Sequence, residues 1–133
     1  VVETTWEKWK KMYPDTLVTP NDLANRNYQR YPYGSYRTNH DNTFQPTNPT
    51  PSKMYKNKKR ILGLVGEDSA KGYPFPELAK HGDRVVVNDT FEERELVIVY
   101  EKQHRTAIPF SRNLDGETLT FEGVESPGAD TVE

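Results

Sequence analysis

The chain has 133 residues, 33% of them apolar, and carries a formal net charge of -2. This bounds it to one domain with one modest core, and the charge argues for neither a nucleic-acid nor an acidic partner. With no cysteine there is no disulfide framework, thiol nucleophile or thiolate metal site, and no apolar run approaches the ~20 residues of a membrane-spanning helix.

The charge is unevenly spread. Residues 1–60 hold 11 basic and 5 acidic side chains, and residues 61–133 hold 7 and 15. Two readings follow: halves that pack together with complementary fields, or a basic face for an anionic partner. Ten prolines and eight glycines predict many turns, and eight tyrosines predict a core that leans on large, partly polar rings. The first residue is Val rather than Met. The expectation is a processed form or an excised piece, with any membrane association through a missing N-terminal anchor.

Thr4 and Glu7 have capping-box spacing and predict a helix start. Trp6, Trp9 and Tyr13 then share one helical face, and Pro14 stops the helix. The tryptophans read as core or docking surface, or as a ligand-stacking site. Thr19 to Asp22 could open a second helical turn with Pro20 in its first positions. Tyr28, Arg30, Tyr31, Tyr33, Tyr36 and Arg37 interleave aromatic and basic residues. They suit tyrosines covering a sheet and forming an interaction surface. The competing reading, stacking on single-stranded nucleic acid, is weakened by Pro32 and Gly34. Residues 39–59 read as a polar, proline-rich surface loop. It ends in a basic cluster, Lys56, Lys58, Lys59 and Arg60, either a solvated lead into a strand or a phosphate or membrane-surface patch.

Ile61 to Val65 and Lys71 to Tyr73 predict a hairpin with its turn at Gly66 to Ser69. Pro76 to Lys80 predicts a single helical turn ended at Gly82. Val85 to Val87 predicts the next strand, with Asn88-Asp89 as turn formers. Leu96 to Tyr100 is apolar without a break, the pattern of a strand buried on both faces. Arg105 to Ser111 follows, then a turn at Asn113 to Gly116, then a strand at Thr118 to Phe121. Residues 125–133 read as a flexible acidic tail. The expected fold is a mainly β, β-rich α+β domain. It has a small antiparallel twisted sheet or partly closed barrel over 60–124, an N-terminal amphipathic helix, and an irregular tyrosine- and proline-rich segment.

Several phrases stand out together: Thr5-Trp6 with Trp9, Pro14-Asp15-Thr16, Tyr31-Pro32-Tyr33 with Tyr36, and Arg60 to Gly63. They continue with Lys71 to Pro74, Val87-Asn88-Asp89, Thr106-Ala107 with Phe110 and Arg112, and Asp115-Gly116 with Leu119 and Phe121. In this order and spacing they resemble a family of bacterial and archaeal proteins catalogued as domain of unknown function number three-one-seven-nine. The resemblance implies an extracytoplasmic protein, periplasmic or at the cell surface, and supplies no activity. It also implies a Cys-x-x-Cys after the strand matching Leu96 to Tyr100, where this chain has Glu101 and His104.

Glu101 and His104 are therefore the sharpest candidate for chemistry. Carboxylate and imidazole can bind zinc, iron or manganese, with His81, His40 or Asp89 completing the set. The plain reading makes both ordinary exposed turn residues. Asp89 with Asp115 or Glu117 could form an acid–base pair, and Asn88-Asp89-Thr90 is formally a glycosylation sequon. No phosphate loop or nucleophile elbow is present. No cofactor is predicted beyond a possible transition metal. The preferred function is a non-enzymatic binding or structural-accessory domain with protein partners, docking through Trp6, Trp9, Tyr31, Tyr33 and Tyr36; the alternative is a metal-dependent binder or enzyme centred on Glu101 and His104.

Overall fold

The computed structural model describes residues 2–19, 32–41 and 54–123. Pro20 to Asp22, Tyr28, Arg30, Tyr31, residues 42–53 and the acidic tail lie outside the described residues. A short helix α1 (Trp6–Met12) is followed by a hairpin of β1 (Ile61–Val65) and β2 (Ala70–Pro74). One helical turn, α2 (Phe75–Leu78), leads into a three-stranded sheet of β3 (Arg84–Phe91), β4 (Arg94–Glu101) and β5 (Thr106–Ser111). A last small hairpin pairs β6 (Asn113–Leu114) with β7 (Glu117–Thr118). The fold is mainly β and antiparallel, as expected. It is a set of separate small sheets and not a closed barrel.

β4 is the central strand and the reason the domain has a core. Its neighbours Val97 and Ile98 point to opposite faces, and both are buried. On one face Val85, Ile98 and Tyr100 pack with Tyr73 and Leu78, supported by Leu62, Leu64 and Phe75 from the hairpin and α2. Phe75 meets Tyr100 edge-on, with centroids 5.3 Å apart. The opposite face carries Val86, Asn88, Val97 and Glu101. Two segments from far ends of the described chain cover it. Asn88 Nδ2 donates to Phe121 O, and Phe121 N donates to Asn88 Oδ1. Arg112 Nη1 donates to Leu119 O while Nη2 pairs with Glu95. At the other end α1 lies against Glu101 through Lys8.

Three local expectations are corrected. The helix N-cap is Thr5, whose Oγ1 accepts from Lys8 N at 3.3 Å, and not Thr4. Asn88-Asp89 does not turn; both lie inside β3, and the turn falls at Glu92-Glu93, with φ of 45° and 63°. The reason is long-range: Asn88 is committed to Phe121 and Asp89 to Lys71 and Tyr73. The last strand is the two-residue β7, with Leu119 to Phe121 anchored by Arg112 and Asn88 instead of a ladder. The Asp115-Gly116 turn behaves as its sequence predicts, with φ of 51° and 88°.

The strained Glu92-Glu93 turn is held by its own side chain. The Glu92 carboxylate accepts from the N–H groups of Glu67, Asp68 and Ser69 at 3.0, 3.2 and 2.9 Å, and from Ser69 Oγ at 2.7 Å. This ties the β3–β4 turn to the β1–β2 turn. The Ser69 hydroxyl, then the backbone donors, hold the Glu92 carboxyl below its usual pKa. A folded-state value below the unfolded one means this latch stabilises above the ordinary carboxylate range and is lost as pH falls through it. A Cβ on Gly66 would sit 1.8 Å from Glu92 Oε2. Gly66→Ala and Glu92→Gln are therefore each expected to lower the melting temperature at pH 7, with the gap to wild type narrowing at acid pH in a thermal-melt series.

Candidate functional site

Glu101 ends β4 and faces Arg84 on β3 and Thr106 on β5 in register. A four-residue turn, Lys102 to Arg105, follows it and holds His104; Arg105 has φ of 49°. The plain expectation of exposed turn residues is overturned: Glu101 and His104 are each only 8% exposed, and Thr106 is 3%. The cover comes from the N-terminal segment. Thr5 Oγ1 lies 2.9 Å from His104 Nδ1. Lys8 Nζ lies 3.1 Å from both Glu101 oxygens, with an aligned hydrogen bond to Oε1 and an unaligned contact to Oε2. Arg84 Nε stands 3.8 Å from Oε1.

Thr5 thus does two jobs. It caps α1 and pins the helix start to the β4–β5 turn. Lys8 lays its stem along the sheet and places its charge on a buried carboxylate. Taking two charges out of water is repaid only while both are present. Three buried oxygens here lack an aligned hydrogen-bond partner: Glu101 Oε2, Thr106 Oγ1 and, from the segment overhead, Thr4 Oγ1.

The other proposed ligands go elsewhere. His81 is exposed just beyond α2, its N–H donating to Leu78 O. His40 bonds the Asn57 carbonyl through Nδ1. Asp89 lies on the hairpin face of the sheet, opposite to Glu101. Among the described residues no group of three or more His, Cys, Asp or Glu side chains is placed to hold a metal.

Asp89 forms a second polar site. Lys71 Nζ lies 2.7 and 2.6 Å from its two oxygens, Tyr73 OH donates to Oδ2 at 2.8 Å, and Thr90 N donates to Oδ1. Lys71, then Tyr73 and the Thr90 amide, hold the Asp89 carboxyl below its usual range. Burial, then the bond to Asp89, pushes the Tyr73 phenol up to about 12. Both Asp89 oxygens are thereby occupied. Asp115 and Glu117 are exposed on the β6–β7 hairpin.

The aromatic residues divide. Trp6 is 51% exposed and Tyr13 half exposed, followed by Leu17 at 97% and Val18 at 66%. Trp9 is partly buried; its ring lies 4.6 Å from Tyr13, and its Nε1 donates to Thr16 Oγ1 at 2.9 Å. Tyr33 is exposed, with its ring 6.4 Å from Tyr36. Lys58 stands 3.7 Å over the Tyr36 ring and donates to the Tyr36 and Asn39 carbonyls. Arg60 donates to Glu3 at 2.6 Å and to Arg105 O at 3.0 Å, and Arg37 also reaches Glu3. Half of the basic cluster thus binds its own chain.

Sequence reasoning picked out Glu101 and His104 but not Lys8 and Thr5, which lie 93 and 99 residues away from their partners. Nothing in local spacing signals such pairs.

The family described as protein of unknown function DUF3179 matches residues 1–132, so the chain belongs to it. No curated protein and no solved structure matches the chain.

Two outcomes are expected. Lys8→Met and Glu101→Gln should each destabilise by about 3 kcal/mol, and the double variant by clearly less than their sum, in urea denaturation. Tyr73 has a folded pKa above its unfolded value, so its contribution is complete below about pH 10 and lost as pH rises toward 12. Tyr73→Phe should cost about 1–2 kcal/mol at pH 7 and lose that disadvantage in alkaline melts.

Proposed function

We propose that this domain is a non-catalytic binding or structural-accessory module, extracytoplasmic in setting, that docks a protein partner through the face carrying Trp6, Tyr13 and Leu17. The observation that carries the reading is the exposure of these large apolar side chains in one short stretch. Clustered exposed aromatics are the composition of interface centres. Consistent with it, several partly or fully buried ionisable groups engage one another: Glu101 with Lys8, Asp89 with Lys71 and Tyr73, Glu95 with Arg112. The extracytoplasmic setting is supported by the family resemblance alone.

The test uses the protein as bait on an extracytoplasmic extract of its source, beside a Trp6→Ser/Leu17→Ser variant. One partner retained in stoichiometric amount by the wild type and lost with the variant is expected. Equal recovery with both would sink the assignment of this face.

A second reading rests on the burial of both Glu101 and His104 at the end of β4 and its following turn, with Glu101 Oε2 and Thr106 Oγ1 lacking an aligned hydrogen bond. A transition metal there would take Oε2 and an imidazole nitrogen, and Lys8 would have to withdraw. Stoichiometric zinc, iron or manganese in the native protein, lost in His104→Ala, would select this reading over the first.

A further inference from the structure

Among the described residues β1 pairs with β2 alone, and nothing pairs with its outer edge. Gly66 N donates to Ser69 O and Phe75 N to Arg60 O, which places even-numbered β1 residues in the hydrogen-bonded pairs with β2. The backbone groups of Ile61, Gly63 and Val65 therefore point away from β2. Proteins usually blunt such edges with proline, charge or a bulge. The outer side of β2 ends in Pro74. On β5, Arg112 N bonds Glu95 O, so Pro109 falls at a position whose nitrogen faces outward. β3 carries Arg84 and Asn88 on its outer side. β1 is Ile-Leu-Gly-Leu-Val, with no proline and no charge, and Val65 is 86% exposed.

The β1 sequence is also nearly symmetric about Gly63. An antiparallel partner in the register that sets Gly63 opposite Gly63 places Val65 opposite Ile61 and Leu64 opposite Leu62. The odd-numbered residues, whose backbone groups point outward, then meet one another as bonded pairs. A patch that complements itself is what a two-fold axis requires. A Cβ on Gly63 would meet nothing within 4 Å, so among the described residues the sheet face at the central residue of β1 is open. Just beyond the two ends of β1 stand Lys59 and Glu67, both exposed, so an antiparallel second copy brings opposite charges near one another at each end. The symmetry makes that pairing occur twice.

We propose that the protein self-associates into a two-fold dimer by β1-to-β1 strand addition, with Gly63 at the axis and Lys59–Glu67 pairs closing each end. The contact is small, main-chain dominated and weak, and it forms in the micromolar-to-millimolar range. It uses a surface other than the Trp6 face, so the two assignments stand or fall separately.

The test is sedimentation equilibrium of the whole chain over a concentration series. A mass rising from 15.4 kDa toward twice that value is expected. Lys59→Glu and Glu67→Lys should each weaken association roughly tenfold by turning two attractive pairs repulsive, while the double reversal restores it to within about threefold. Val65→Pro removes an outward N–H without touching the β1–β2 ladder, and should leave a folded monomer. If it fails to fold, the charge reversals still decide the matter. A monomer at every concentration overturns the proposal. So does a dimer indifferent to both single reversals, or one lost in Trp6→Ser.

Discussion

The structure depends on β4 being buried from both sides. Ile98 has no solvent exposure on the hairpin face, and Val97, one residue away, is buried on the other. A strand with two apolar faces needs two covers, and a three-stranded sheet supplies neither. The β1–β2 hairpin and α2 supply one, with Tyr73 and Leu78 closing over Ile98. The second is assembled from α1 at one end and residues 119–123 at the other, neither of which is a sheet. The Phe121 segment has no strand partner, so the side-chain amide of Asn88 supplies the acceptor and donor that a ladder would have provided.

This gives the polar contacts their weight. A small core tolerates irregular cover only if the backbone and charged groups that come with it are satisfied. Lys8 on Glu101, Arg112 on Glu95 and Leu119, and Glu92 on the β1–β2 turn each fasten a segment with little apolar area of its own. In each case at least one partner of the hydrogen bond carries a full charge, the stronger class of hydrogen bond. Such contacts select one arrangement sharply, because breaking any of them strands a partly buried charge. They also explain why the ionisable residues of this chain look chemically suggestive in sequence and yet are engaged in holding the fold.

Much of the architecture was legible. The apolar run Leu96 to Tyr100 predicted a two-faced strand, and Gly66 to Ser69 and Asp115-Gly116 carried their turn chemistry openly. These features are local: apolar periodicity, turn-forming residues, and the positive φ that Asp115-Gly116 adopts. Asn88-Asp89 misled because its turn propensity is real but is outbid by contacts to Phe121, Lys71 and Tyr73. Glu92-Glu93 is a poor turn by propensity and turns because the carboxylate of Glu92 finds a cluster of N–H donors on the next hairpin.

The candidate site follows the same division. The sequence by itself determined a mainly β domain of a family of unknown function, with a carboxylate and an imidazole three residues apart after the apolar strand Leu96 to Tyr100. Only the tertiary structure decided that these two are buried, that Lys8 and Thr5 sit on them, and that His81 and Asp89 do not join them. Spacing along the chain reports which side chains share a turn or a strand face. It carries no information on which segment, some ninety residues away, is drawn over them when the second face of β4 leaves water.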